Sequence, residues 1–116
     1  MSVARYRTLM TEEGMRGTIA EAVEFHGGHL FYVPRTDAVP SMTDWPDLEL
    51  ILPHKRTVAH VELKSQRRPI TPGQARVLAM LRECDRSEAF LVRPVPRDET
   101  ETSYDAFLAW LNGGEL

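Results

Sequence analysis

Asp47, Glu62 and Lys64 are the residues of this chain whose side chains can most readily act together on a bound group. The segments Asp47 to Leu52 and Thr57 to Lys64 read as strands joined by a turn at Pro53, His54, Lys55 and Arg56. A hairpin centred between His54 and Lys55 sets Leu48 and Leu50 opposite Val61 and Ala59, so that one face is continuously apolar. The other face then carries Asp47 opposite Glu62 and Glu49 opposite His60, with Lys64 on the same side as Glu62 because side chains alternate along a strand. Facing carboxylates about 5 Å apart repel by about 3 kcal/mol at an effective dielectric near ~20, so a compensating cation is expected. Mg²⁺ or Mn²⁺ takes such hard oxygen donors, with waters and substrate phosphate as the remaining ligands. A metal that polarises phosphate and acidifies water, beside the Lys64 ammonium, makes up the machinery of phosphodiester hydrolysis. The same residues also fit a solvated polar sheet face with a Glu62–Lys64 ion pair worth about 0.5 kcal/mol.

The remaining elements must hold these groups in place. Thr11 caps a predicted helix that ends at Gly27 and Gly28, with Met15, Ile19, Ala22, Val23 and His26 at helical spacing. Glu12 falls inside that inward arc, whereas Glu13, Glu21 and Glu24 point away, which makes Glu12 a candidate third carboxylate. His29 to Val33 reads as a strand and Pro34 to Pro46 as an exposed loop. Thr71 as N-cap, Pro72 at the first helical position and Gln74 three residues after the cap open a second helix that runs to about Cys84. Glu88 to Arg93 is a fourth strand, Pro94 to Thr102 a linker, and Ser103 to Asn112 a closing helix. The order is αβββαβα, an α/β arrangement in which helices flank a central mixed sheet.

At 116 residues and 42% hydrophobic content the chain suits one domain, 1–116, with a core over about 11–93 and a C-terminal helix over 103–112. The net charge of -3 hides a segregation: six basic residues and one acid lie between Lys55 and Arg76, and five acids and no base follow Arg97. Lys55, Arg56, Arg67 and Arg68 are therefore candidates for binding a nucleic-acid backbone, and Trp45, beside Asp47, is the aromatic residue to contact a base. Solvated surface charge explains the basic residues equally well. His60 is expected to pair with Glu49 in preference to touching a phosphate, and Phe107, Trp110 and Leu111 to be core or dimer contacts in preference to base-stacking groups. The lone Cys84 reads as a small apolar residue late in a helix, and His26 and His29 lack zinc spacing. One cysteine, no membrane span and no signal-peptide pattern predict a cytoplasmic protein.

Pro46-Asp47, fourteen intervening residues and Glu62-Leu63-Lys64 resemble the PD-(D/E)xK motif. The runs Trp45-Pro46-Asp47-Leu48, Val61-Glu62-Leu63-Lys64-Ser65 and Ile70-Thr71-Pro72-Gly73-Gln74, with Thr11-Glu12-Glu13 and His26-Gly27-Gly28 bounding the first helix, resemble the VRR-Nuc (virus-type replication-repair nuclease) family. The resemblance spans about residues 11–93 and implies a restriction-endonuclease-like fold and a Mg²⁺- or Mn²⁺-dependent DNA endonuclease. It implies metal ligation by Glu12, Asp47, Glu62 and the Leu63 carbonyl, catalytic roles for Asp47, Glu62 and Lys64, and a supporting one for Gln74. Branched or flapped DNA, in the manner of Holliday-junction resolvases, is the implied substrate, and a homodimer acting in a bacterial or virus-infected cell the implied form. Trp45 stands where the family usually has Gly, and Arg16, a candidate i+4 partner for Glu12, where it usually has Gln. A non-catalytic binding module on the same fold is the rival reading, and the apposed carboxylates, which binding does not need, argue against it.

Overall fold

The structure is a computed structural model that describes residues 9–34, 43–85 and 87–114. Helix α1 (Glu12–Phe25) is followed by β1 (His29–Tyr32), β2 (Leu48–Leu52), a 3₁₀ turn (Pro53–Lys55) and β3 (Thr57–Leu63). Then come α2 (Pro72–Arg82), β4 (Ser87–Arg93), β5 (Thr102–Ser103) and α3 (Tyr104–Leu111). The strands form one sheet in the order β1-β2-β3-β4-β5, antiparallel from β1 to β3 and parallel from β3 to β5. The expected mixed sheet is present, with β5 as an added strand inside what reads as a linker. The loop expected from Pro34 to Pro46 lies, over 35–42, outside the described residues.

Hairpin β2–β3 has the expected register: Leu48 pairs with Val61, Glu49 with His60 and Leu50 with Ala59. Leu48, Leu50, Leu52, Ala59, Val61 and Leu63 form one face, and Met15, Ile19 and Val23 of α1 and Phe107 and Leu111 of α3 pack against it. Burial of these side chains drives the helices onto the sheet, each large one contributing about 1.5–3 kcal/mol. On the opposite face Leu78 of α2 packs against Ala89 and Leu91 of β4. Helices therefore cover both faces, and none of those described is long and apolar enough to cross a membrane.

Local signals explain the termini. The Thr11 hydroxyl accepts from Gly14 N, and α1 stops where Gly27 takes a φ of 75° and Gly28 N donates to the Val23 carbonyl. A side chain on Gly28 would put a Cβ 2.4 Å from the Ile51 carbonyl, so glycine also lets α1 end against β2. Helix α2 stops at Arg82 with Glu83 as its cap, short of the expected Cys84. Cys84 thus lies just past the helix and is exposed, whereas the sequence placed it late in the helix.

Candidate active site

Where β2 begins and β3 ends, the hairpin brings Asp47 and Glu62 together by an exchange across the two strands. Asp47 N donates to Glu62 Oε2 at 3.2 Å and Leu63 N donates to Asp47 Oδ2 at 3.3 Å. Lys64 Nζ lies 3.4 Å from Glu62 Oε1, with the Lys64 and Glu62 side chains 3% and 1% exposed. The ion pair is therefore buried and not part of a solvated sheet face. Taking charges out of water costs several kcal/mol per ion, so such a pair survives only when its remaining polar atoms are matched.

Gln74 supplies part of that match. Its Oε1 accepts from Thr71 N at 3.0 Å, its backbone N–H donates to the Thr71 hydroxyl at 3.1 Å, and its Nε2 donates to Glu62 Oε1 at 3.2 Å. The capping box and the contact with Glu62 are thus two ends of one amide. Because the carbonyl end is occupied by the helix cap, the NH₂ end must point at the carboxylate.

Glu12 approaches from the first turn of α1. Its Oε1 accepts from Ser65 N at 3.1 Å, and Arg68 Nη1 donates to Oε1 and Oε2 at 3.1 and 2.9 Å. Arg16 is not its partner: that guanidinium lies over the Tyr32 ring, 5.0 Å from the centroid. A cavity of about 260 Å³ is lined by Glu12, Arg16, Tyr32, Val33, Asp47 and Arg68, and one of about 790 Å³ lies beyond Glu12 and Arg68, bordered by Leu9, Met10 and Arg67. Among the described residues no three of the His, Cys, Asp and Glu side chains are gathered as a metal-holding group. Asp47 and Glu62 still present adjacent hard oxygen donors, which fits Mg²⁺, an ion commonly held by one or two carboxylates together with waters and phosphate.

The remaining candidates are distributed differently. Trp45 Nε1 donates to Glu49 Oε1 at 2.6 Å, and its ring meets His60 edge-on at 5.7 Å. His60 Nδ1 lies 2.7 Å from Glu49 Oε2, the expected pairing. The indole N–H of Trp45 is thus committed within the protein. Lys55 and Arg56 sit at the far end of β3, about 20 Å from Glu62 at the usual strand rise. The Lys55 ammonium lies 4.7 Å over the Trp110 ring of α3. Arg68 lines the cavity shared by Glu12 and Asp47, and Arg67 borders the larger one beyond Glu12.

Sequence reasoning missed Arg93 and Glu101. Arg93 is fully buried and forms an ion pair with Glu101, from Nε to Oε1 at 2.8 Å. The available signal was phase: Arg93 alternates onto the same face as Ala89 and Leu91, where an unpaired cation would be costly. In the same loop the Thr100 hydroxyl, then the Thr100 backbone N–H, holds the Asp98 carboxyl below its ordinary pKa.

No protein-family model matches the chain, and no curated protein matches it significantly. It is similar to a solved structure described as "VRR_NUC domain", with 26% identity and a TM-score of 0.56 over 72% of this chain and 86% of that one. With its mixed sheet flanked by helices, the chain is a nuclease-fold domain of the restriction-endonuclease-like class. Within that class its fold is VRR-Nuc-like.

Proposed function

We propose that this chain is a metal-dependent DNA endonuclease that hydrolyses phosphodiester bonds in branched or flapped DNA, acting as a homodimer in the cytoplasm. The observation that carries the reading is the buried Glu62 carboxylate, held by Lys64 and Gln74 and apposed to Asp47 across the hairpin. The likeness to the VRR_NUC domain supports it. Asp47, Glu62 and the Leu63 carbonyl would hold Mg²⁺ or Mn²⁺, with Glu12 as the further carboxylate. The ion, when bound, supplies positive charge at the phosphate and makes water more acidic. Lys64 stabilises negative charge that develops on the phosphate, Gln74 keeps Glu62 oriented, and Arg67 and Arg68 bind the flanking backbone.

The deciding experiment incubates the protein with labelled four-way junctions, flaps, duplexes and single strands in Mn²⁺, in Mg²⁺ and in chelator. Divalent-dependent cutting, strongest on a junction or flap, is expected. A folded protein that binds these DNAs and cuts none of them with either metal overturns the reading. That outcome would favour a binding module, a reading supported by the engagement of the Glu12 carboxylate by Ser65 N–H and the Arg68 guanidinium. Dimerisation is checked by sedimentation, where a monomer that cuts both strands of a junction contradicts the two-fold arrangement.

A further inference from the structure

Arg93 ends β4 with 0% exposure, which an arginine tolerates only when its donors are matched. Its Nε and Nη2 donate to the two carboxylate oxygens of Glu101 at 2.8 and 3.1 Å, while Nη1 donates to the carbonyls of Ser65 and Arg68 at 2.9 and 2.6 Å. One guanidinium thus ties the chain leaving β3 to the chain entering β5. Neighbouring bonds repeat the tie. The Gln66 amide donates to the Val95 carbonyl at 3.0 Å and accepts from Val95 N at 2.9 Å. Arg97 Nη2 donates to the Gln66 carbonyl at 2.6 Å, and Arg97 N donates to Glu101 at 2.8 Å.

The tied segment, residues 65–68, is the one on which Glu12 docks through Ser65 N–H and the Arg68 guanidinium. A buried ion pair adds little stability over apolar residues of similar volume, so global stability alone is a weak reason for placing one here. Its donors reach backbone carbonyls beside the site, and only a planar fork can serve a carboxylate and two carbonyls together. We infer that Arg93, oriented by Glu101, is a positioning residue: it fixes residues 65–68 and, through them, the Glu12 carboxylate, in support of the proposed cleavage. The inference rests on the nuclease reading for its effect on rate, but not for its effect on Glu12.

The test compares wild type with Arg93→Lys and with the milder Glu101→Gln, each as the full chain and with rates corrected for the folded fraction. For Arg93→Lys, kcat falls about 10- to 100-fold, as expected when a reacting constellation shifts by about 1 Å, while KM for the DNA changes little. If Arg93 acts through Glu12, Glu12→Gln combined with Arg93→Lys is no slower than Glu12→Gln alone. Losses that multiply in the double variant, or a wild-type kcat in both single variants, overturn the proposal. Amide hydrogen exchange supplies the independent reading: Ser65 N–H loses protection in Arg93→Lys more than the β3 amides do. A wild type that cuts no DNA defeats the nuclease reading alone, and Ser65 exchange then decides the positioning of Glu12: faster in Arg93→Lys sustains it, unchanged overturns it.

Discussion

Asp47 meets the buried Glu62–Lys64 pair across the hairpin, so a bound cation would answer carboxylates from both strands. Asp47→Asn keeps an acceptor for Leu63 N–H and removes one negative charge beside Glu62. The metal-free variant is expected to melt at or above the wild-type temperature. Wild type with Mn²⁺ at a hundredfold excess over Kd gains about 2.7 kcal/mol, a rise on the order of 10 °C for a domain of this size, and the variant loses most of that shift. Thermal scans in chelator and in excess Mn²⁺ check this, and a wild type indifferent to the metal counts against the site. Lys64 needs a different reading. Lys64→Ala strands a buried carboxylate at a cost of about 3–5 kcal/mol, so lost cleavage in that variant is not by itself evidence of a catalytic role. Glu62→Gln with Lys64→Met removes both charges at similar volume. It should stay folded in urea titration and bind DNA, yet show no cleavage.

Helix α2 couples a structural cap to the site, and its two halves can be separated by mutation. Thr71→Ala removes the hydroxyl that accepts from Gln74 N while leaving the Gln74 amide able to reach Glu62. It should lower stability by about 1 kcal/mol and leave cleavage largely intact. Gln74→Glu keeps an acceptor for Thr71 N–H but replaces the donor facing Glu62 by a second carboxylate. Like charges in a buried place are costly, so this variant should lose more stability than Thr71→Ala and lose cleavage as well. Urea unfolding with parallel rate measurements compares them, and equal effects on both quantities would show that Gln74 acts only as a cap.

Among the described residues the fold puts the basic side chains in unequal positions. Arg67 and Arg68 border the cavity beside Glu12, whereas Lys55 and Arg56 occupy the opposite end of the hairpin. Each phosphate contact contributes about one unit to the slope of log affinity against log salt. Arg67→Ala should flatten that slope by about one unit, and Arg68→Ala by less, because Arg68 must leave Glu12 before it can serve a phosphate. Lys55→Ala with Arg56→Ala should change the slope least, since the Lys55 ammonium already lies over Trp110. A larger effect from the Lys55 and Arg56 pair would move the DNA surface to the far end of the sheet.

Much of this architecture was legible in residue order. Alternation in β2 and β3 specifies which side chains face the core, and a slip of one residue would turn Leu48, Leu50, Ala59 and Val61 to the polar face; the hairpin register followed from that constraint. Thr71, Pro72 and Gln74 announced α2 because capping is a local interaction. The placing of Asp47 beside Glu62 and of Lys64 on the side of Glu62 needed only strand period and turn position. What residue order could not supply depends on segments distant along the chain. Whether the Glu62–Lys64 pair is solvated or buried was decided by the packing of α2 on the sheet. The partner of Glu12 proved to be Arg68 and not the nearby Arg16, because a tertiary turn after β3 brings a guanidinium and a backbone N–H to one carboxylate. Arg93 and Glu101 meet only because β5 runs parallel to β4 and returns the acidic loop to the sheet. Local periodicity dictates which face a side chain takes, whereas its partner on that face is chosen by long-range packing, and desolvation then decides which charges must be paired.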